Sequence, residues 1–251
     1  MDLWHIELSH YSEKARWALD LKGVAHRVRT PLPGVHGLVA MALTRSGHRR
    51  LPVLRIDGTT IAGSAAIVAA VDERFPEPPL LPADAAARAQ ALAHEAWFDA
   101  QLGPAVRAYC WNHILGSGAN LADAIAPNAP AARRRLFAVA TPLARPFVRA
   151  DYGATPARAV AERATILAAA DRVEAALSPS GYLVGDTFSV ADLAGAALFT
   201  PLLCPPQRPY PPAIDASPIL ELRAELEERE AGRWVAEMYA RHRAAATPVA
   251  A

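Results

Sequence analysis

Residues 76–82 read Pro-Glu-Pro-Pro-Leu-Leu-Pro, and neither a helix nor a central strand passes through such a run. Proline has no amide hydrogen to give, and its ring clashes with the preceding turn. The segment therefore divides the chain into two parts of different character. Before it, apolar strand candidates Leu3–Leu8 and Ala25–Arg29 flank a helical run, Tyr11–Lys22. A looser segment with Pro and Gly, leaving room for an irregular helix, continues through Arg50. Val53–Ile56 and Thr59–Ile61 then surround Asp57-Gly58, a dipeptide favoured in two-residue hairpin turns because both central residues need positive φ. A helix over Ser64–Phe75 closes the part. The order β-α-β, irregular helix, β-β-α defines a small α/β unit over residues 1–76, small for a domain that must stand alone.

After the prolines, Ala, Leu and Arg recur at helical spacing. The predicted helices are Asp84–Ile114, a run near Ala131–Val148 interrupted by Pro142 and Pro146, Thr155–Leu177, Val190–Leu203 and Ile219–His242. A second proline-rich turn, Pro205–Pro212, precedes the final helix, and the Ala-rich tail Ala244–Ala251 is expected to fray. Residues 83–245 thus make an all-helical second domain. Ser189-x-x-Asp192 opens one of its apolar runs and reads as a capping box.

A formal net charge of +1 provides no general field for nucleic acid or an anionic membrane, so the expected partner is a small molecule. No stretch is apolar for long enough to span a bilayer, and Met1-Asp2-Leu3 lacks the basic and apolar regions of a signal peptide, which predicts a soluble, cytoplasmic protein. Cys110 and Cys204, the two cysteines, are too few for a disulfide framework or a thiolate zinc site. The histidines form no H-x-x-x-H pair and no G-x-S-x-G elbow is present, so neither a metal nor a hydrolase triad is expected.

Where the first strand gives way to the first helix, Ser9 and Ser12 form an S-x-x-S pair. A helix start leaves amide groups unpaired and its dipole positive, so a serine there has two readings. It is a helix cap, or it donates its hydroxyl proton to the sulfur of a bound thiol and favours the thiolate. Leu51-Pro52-Val53-Leu54 places a proline at the head of a strand, where a cis bond is tolerated. Ile61-Ala62-Gly63-Ser64 opens another helix and offers a second anion site, suited to a carboxylate.

Together these segments resemble the glutathione S-transferase superfamily. Ser9-His10-Tyr11-Ser12-Glu13-Lys14-Ala15-Arg16 is similar to its active-site helix, Leu51-Pro52-Val53-Leu54 to its cis-proline strand, and Ser64-Ala65-Ala66-Ile67 to its second helix start. Tyr182 to Leu193, which includes Gly185-Asp186 and Ala191-Asp192, is similar to a motif of the helical half. The resemblance implies a thioredoxin-like N-terminal domain followed by an all-helical C-terminal domain, and a homodimer. It further implies glutathione as co-substrate, with a hydrophobic electrophile between the two domains, as in a detoxification transferase. By position, Ser9 is the catalytic residue, Pro52 is the cis-proline, Val53 binds the cysteinyl backbone through its main chain, and Ser64 binds the γ-glutamyl carboxylate. Tyr11, Trp97, Tyr109 and Trp111 are candidates for the acceptor pocket, although aromatic spacing of this kind more often marks a core.

Two departures from the family pattern matter. Gly63 stands where an acidic residue usually meets the γ-glutamyl ammonium, and the loop before Pro52 is basic and longer, with His48, Arg49 and Arg50. His48, Arg49 or Arg50 is placed to hold the glycyl carboxylate of glutathione or to fit a different anionic thiol. Two functions stay open: a transferase activating glutathione or another thiol, and a non-catalytic protein that keeps the fold for binding or interaction.

Overall fold

A computed structural model of the chain describes residues 1–32, 34–117, 135, 145–146, 148–210 and 216–243. The expected helix over Ala131–Val148 falls largely outside these residues, as do the tail from Ala244 and the end of the Pro205–Pro212 turn.

The first part holds strands β1 (Asp2–Trp4), β2 (Arg27–Arg29), β3 (Val53–Ile56) and β4 (Thr59–Ala62), with helices α1 (His10–Leu21), α2 (His36–Thr44) and α3 (Ser64–Arg74). The sheet order is β2-β1-β3-β4. β1 runs parallel to β2 and antiparallel to β3, and β3 and β4 form the expected hairpin with Asp57 and Gly58 both at positive φ. Alternation along the strands sorts the faces. Leu3, Leu54 and Ile56 pack with Ala15 and Leu19 of α1 and Ile67 and Val71 of α3. Val53 packs on the opposite side with Leu51 and Ala40 of α2, joined by Trp4. This is the thioredoxin-like arrangement that the sequence resemblance implies.

The expected first strand, Leu3–Leu8, ends early. From His5 onward the chain leaves the sheet, and the amide of Ile6 donates to Ser12 Oγ at 3.2 Å, which fixes the approach to α1.

The second part contains α4 (Ala85–Trp97), a π-helical turn (Phe98–Leu102), α5 (Gly103–Gly116), α6 (Pro156–Ala176), α7 (Val190–Leu203), α8 (Ser217–Glu228) and α9 (Glu230–His242). The expected helix Asp84–Ile114 is therefore interrupted. Pro104 has no amide to offer the carbonyl of Ala100, and a single π turn just before it absorbs the mismatch. The expected helix Ile219–His242 is likewise two helices, divided at Arg229. That residue is extended (φ −84°, ψ 157°), and its guanidinium pairs with Asp171 and Glu174 of α6. α7 is apolar all round and is buried from Val190 to Leu202, as a helix at the centre of a bundle must be. The Ser189/Asp192 capping box is formed, and the Asp192 carboxylate also accepts from Leu183 N–H at 2.9 Å.

α1 belongs to both parts. Trp17 and Ala18 enter the helical core beside Phe188 and Tyr239, whereas Ala15 and Leu19 face the sheet. With both sides covered, Glu13, Lys14 and Arg16 are withdrawn from water and must be paired. Lys14 Nζ lies 2.8 Å from Glu95 and 2.6 Å from Asp99. Glu13 takes Arg16 Nη2 at 2.7 Å and Arg243 Nε at 2.9 Å, and Arg208, also buried, donates to the carbonyl of Leu8 at 2.8 Å. Burial by itself raises the Glu13 pKa, but the Arg16, Arg243 and Arg208 charges overcome that and hold it at about 2.

Removing the Glu13 charge leaves Arg16 and Arg208 buried without a carboxylate and Arg243 with Asp20 alone. Glu13→Gln is expected to destabilise the protein by about 3–5 kcal/mol in chemical denaturation. The unfolded carboxyl, near 4.5, binds a proton that the folded one at about 2 does not, so this contribution is present above pH 4.5 and is lost as pH falls through about 2. Glu13→Gln should therefore flatten the rise of stability across that window, and an unchanged slope would contradict the assignment.

Candidate active site

The starts of α1 and α3 open on one cavity of about 590 Å³. His10 and Tyr11 line it from the first turn of α1, and Ser64, Ala65 and Ala66 from the first turn of α3. The opening amides of a helix have no partner within it, so both positive dipole ends face the same space. Leu51 and Pro52 line it between them, with the Leu51–Pro52 peptide cis. Gly63 also lines it at φ +89°, and its amide donates to the carbonyl of Pro52 at 3.0 Å.

Ser9 sits at the mouth of α1 as its N-cap. Its Oγ accepts from Ser12 N–H at 3.3 Å, and its carbonyl accepts from Glu13 N–H at 2.9 Å. Accepting through a lone pair leaves the hydroxyl proton free to be donated. The two sequence readings of Ser9 are thus compatible in one geometry. Ser12 is fully buried, does not line the cavity, and holds Ile6 in place.

The helical part supplies the opposite wall through the π turn and α5. Gly103, Arg107 and Trp111 recur every four residues on one face of α5, with Cys110 and Ile114 beside them. Gly103 permits a close approach: a Cβ there would collide with Tyr11 Oη. Tyr11 donates to the carbonyl of Asp99 at 2.7 Å, and the ring of His10 bonds the carbonyl of Gly103 at 3.0 Å through Nε2. A carbonyl only accepts, so that nitrogen carries the proton. Burial first, then the nearby Arg107 and Arg208 charges, lower the His10 pKa to about 3 and keep the ring neutral.

The lining is electropositive. Arg50, Arg107, His36 and His48 join the two helix starts, and Asp99, the only carboxylate lining the cavity among the described residues, is held by Lys14. Burial lowers the His36 pKa below its usual value. His48 Nε2 is buried without a hydrogen-bond partner. Arg50 pairs with Asp151 at 3.5 Å, and Tyr152 closes the wall by stacking on Trp111 with ring centroids 5.4 Å apart.

Of the residues singled out in the sequence, Ser9, Tyr11, Arg50, Pro52, Gly63, Ser64 and Trp111 meet in this cavity. Four do not line it. Val53 lies within β3, between β1 and β4, and does not line the cavity, whereas Leu51, two residues earlier, does. Arg49 is exposed, its backbone against Gly37 of α2. Trp97 packs under the Arg172 guanidinium, and Tyr109 is buried with its hydroxyl on the carbonyl of Pro218 at 2.8 Å. Both are core aromatics. Sequence reasoning missed Arg107, His36 and Tyr152. For Arg107 a signal existed, because Gly103-x-x-x-Arg107-x-x-x-Trp111 places a guanidinium on the face where a small residue admits another element.

Family models match both parts of the chain: glutathione S-transferase, N-terminal domain, over residues 3–79, and glutathione S-transferase, C-terminal domain, over residues 136–230. No curated protein matches the chain. Among solved structures, the beta-etherase LigF from Sphingobium sp. strain SYK-6 is 22% identical with a TM-score of 0.61, over 94% of this chain and 98% of that one. Maleyl pyruvate isomerase, a bacterial Zeta-class glutathione S-transferase, is 24% identical with a TM-score of 0.56, over the whole of both chains. The theta-class glutathione S-transferase of the citrus canker pathogen Xanthomonas axonopodis pv. citri, solved with glutathione bound, is 21% identical with a TM-score of 0.56, over 92% of this chain and 94% of that one. At these identities the likeness is one of fold. The two family models, matching in chain order on the two parts built around α1, establish that the chain belongs to the glutathione S-transferase superfamily.

Proposed function

We propose that the protein is a transferase that activates glutathione at Ser9 and delivers it to a hydrophobic electrophile. The observation that carries this reading is the meeting of Ser9, the Leu51–Pro52 edge and the start of α3 in one electropositive cavity. In this reading the γ-glutamyl carboxylate lies on the amides and hydroxyl of Ser64. The peptide part runs along Leu51, whose amide and carbonyl are unbonded within the described residues. The sulfur accepts the Ser9 hydroxyl proton in a hydrogen bond near the positive end of α1, which lowers the cost of the thiolate. Arg50 takes the glycyl carboxylate. Residues 1–76 bind the thiol, and residues 83–245 hold the acceptor against Tyr11 and Trp111. The enzyme works in the cytoplasm, in detoxification, as a homodimer.

Gly63 supports a second reading, a binding protein without turnover, because the γ-glutamyl ammonium has no carboxylate at that position. Retention on immobilised glutathione without conversion of 1-chloro-2,4-dinitrobenzene would favour it.

Ser9→Ala is expected to lower the conjugation rate by roughly one to three orders of magnitude, as for loss of one donor to a developing anion. Because Ser9 also caps α1, the same change costs about 1 kcal/mol of stability. Ser9→Asp separates the two roles. Its carboxylate still accepts from Ser12 N–H but has no proton to donate, so stability is kept and rate is lost. Ser12→Ala should cost stability, through Ile6, more than rate. Wild-type turnover in Ser9→Asp would sink the assignment.

Gly63 has nothing within 4 Å of a Cβ, but its φ of +89° strains any side chain. Gly63→Ala should therefore lose about 1 kcal/mol of stability. Gly63→Asp carries the same strain plus a charge, and is expected to bind glutathione about 1 kcal/mol more tightly than Gly63→Ala, as a partly exposed charge-assisted bond would. Calorimetry on the two variants decides, and equal affinities would place the ammonium elsewhere.

A further inference from the structure

Arg107 projects from α5 into the cavity and is only partly exposed, yet among the described residues no carboxylate pairs with it. Its Nε is buried without a hydrogen-bond partner. Asp151, the acid nearby, is engaged by Arg50, and Asp99 by Lys14. What Arg107 has are aromatic faces: its guanidinium carbon lies 5.4 Å from the centroid of Tyr152 and 5.9 Å from that of Tyr11. A guanidinium withdrawn from water without an anion is costly, and its flat fork is matched to a carboxylate.

We propose that the acceptor is a flat, conjugated electrophile bearing a carboxylate, which Arg107 binds in the aromatic recess formed by Tyr11, Trp111 and Tyr152. The inference rests on the reading of the cavity as a thiol-transfer site, and it adds the chemical class of the second substrate. The carboxylate pairs with the guanidinium, and the π-system lies against the aromatic walls, where stacking is favourable. Arg107 is a binding residue in this scheme and takes no part in the bond that sulfur forms. The carboxylates of glutathione are a competing source of the same anion. Arg50, His48 and His36 belong to the thiol-binding part of the chain and flank its peptide edge. Arg107 lies on the helical part beside the aromatic walls.

The test measures binding of unreactive probes, so its failure is distinct from failure of thiol transfer. Calorimetry compares 3,5-dinitrobenzoate with its uncharged methyl ester, with and without S-methylglutathione. The wild-type protein is expected to prefer the acid by about tenfold or more, the effect of one charge-assisted pair. Arg107→Gln should reduce the preference to within about twofold while retaining the ester, and Arg107→Lys, which keeps the charge but not the fork, should fall between. Because Arg107 has no protein anion to lose, its thermal midpoint should not fall in Arg107→Gln. If that variant does not fold, Arg107→Lys carries the test, and an undiminished acid preference in it overturns the proposal. Equal binding of acid and ester by the wild type, persistence of the preference in Arg107→Gln, or a tenfold loss of S-methylglutathione affinity in that variant would each overturn it as well.

Discussion

Everything in this molecule is arranged around a carboxylate that water does not reach. Glu13 lies within α1, where the sheet covers one side and the helical bundle the other, and it is stable as an anion only because Arg16, Arg208 and Arg243 surround it. Arg16 comes from its own helix, whereas the other two come from distant parts of the chain. The charge therefore fixes α1 against the bundle, as Lys14 does one residue later through Glu95 and Asp99. Apolar packing of Trp17 is compatible with several small rotations of the helix. Buried ion pairs with these distances are not, and they determine where Ser9 points.

The cavity inherits its charge from this arrangement. Two helices are oriented so that their unpaired amides face one space; Arg50, His36 and His48 of the same part and Arg107 of the opposite wall add to them, against one neutralised acid. Such a site recognises anions before it recognises shape. In the proposed reading, a thiolate beside Ser9 and the carboxylates of the same ligand would be stabilised by this one field.

Most of the α/β part was legible because its signals are local. Asp57-Gly58 specified the hairpin, Ser9 the cap, and Pro52 the head of β3, each through the backbone geometry of that residue type. α7 and its capping box were read with correct boundaries for the same reason. The long helix expected from Asp84 is interrupted because Pro104 sits where helical periodicity in the side chains continues, and only the missing amide betrays the π turn. The break at Arg229 depends on Asp171 and Glu174, nearly sixty residues away, so no local pattern announces it. Site residues followed the same division. Candidates at helix starts line the cavity, whereas Trp97 and Tyr109 pack elsewhere, because aromatic spacing does not say which face turns toward it. Leu51 rather than Val53 lines the cavity because Val53 is already paired in the sheet with Trp4 and Ala62, whereas Leu51 precedes β3.

Glu13 and Arg243 are 230 residues apart in the chain. A ribosome adding about 5–20 residues per second needs roughly ten to fifty seconds to bridge that interval. Until Arg208 and Arg243 are made, Glu13 has only Arg16 of its own helix, and the face of α1 bearing Trp17 lacks Tyr239. The nascent first unit thus waits, open on one side, for helices not yet made. It is during synthesis, more than in the finished protein, that this chain is exposed to proteases and to its own neighbours.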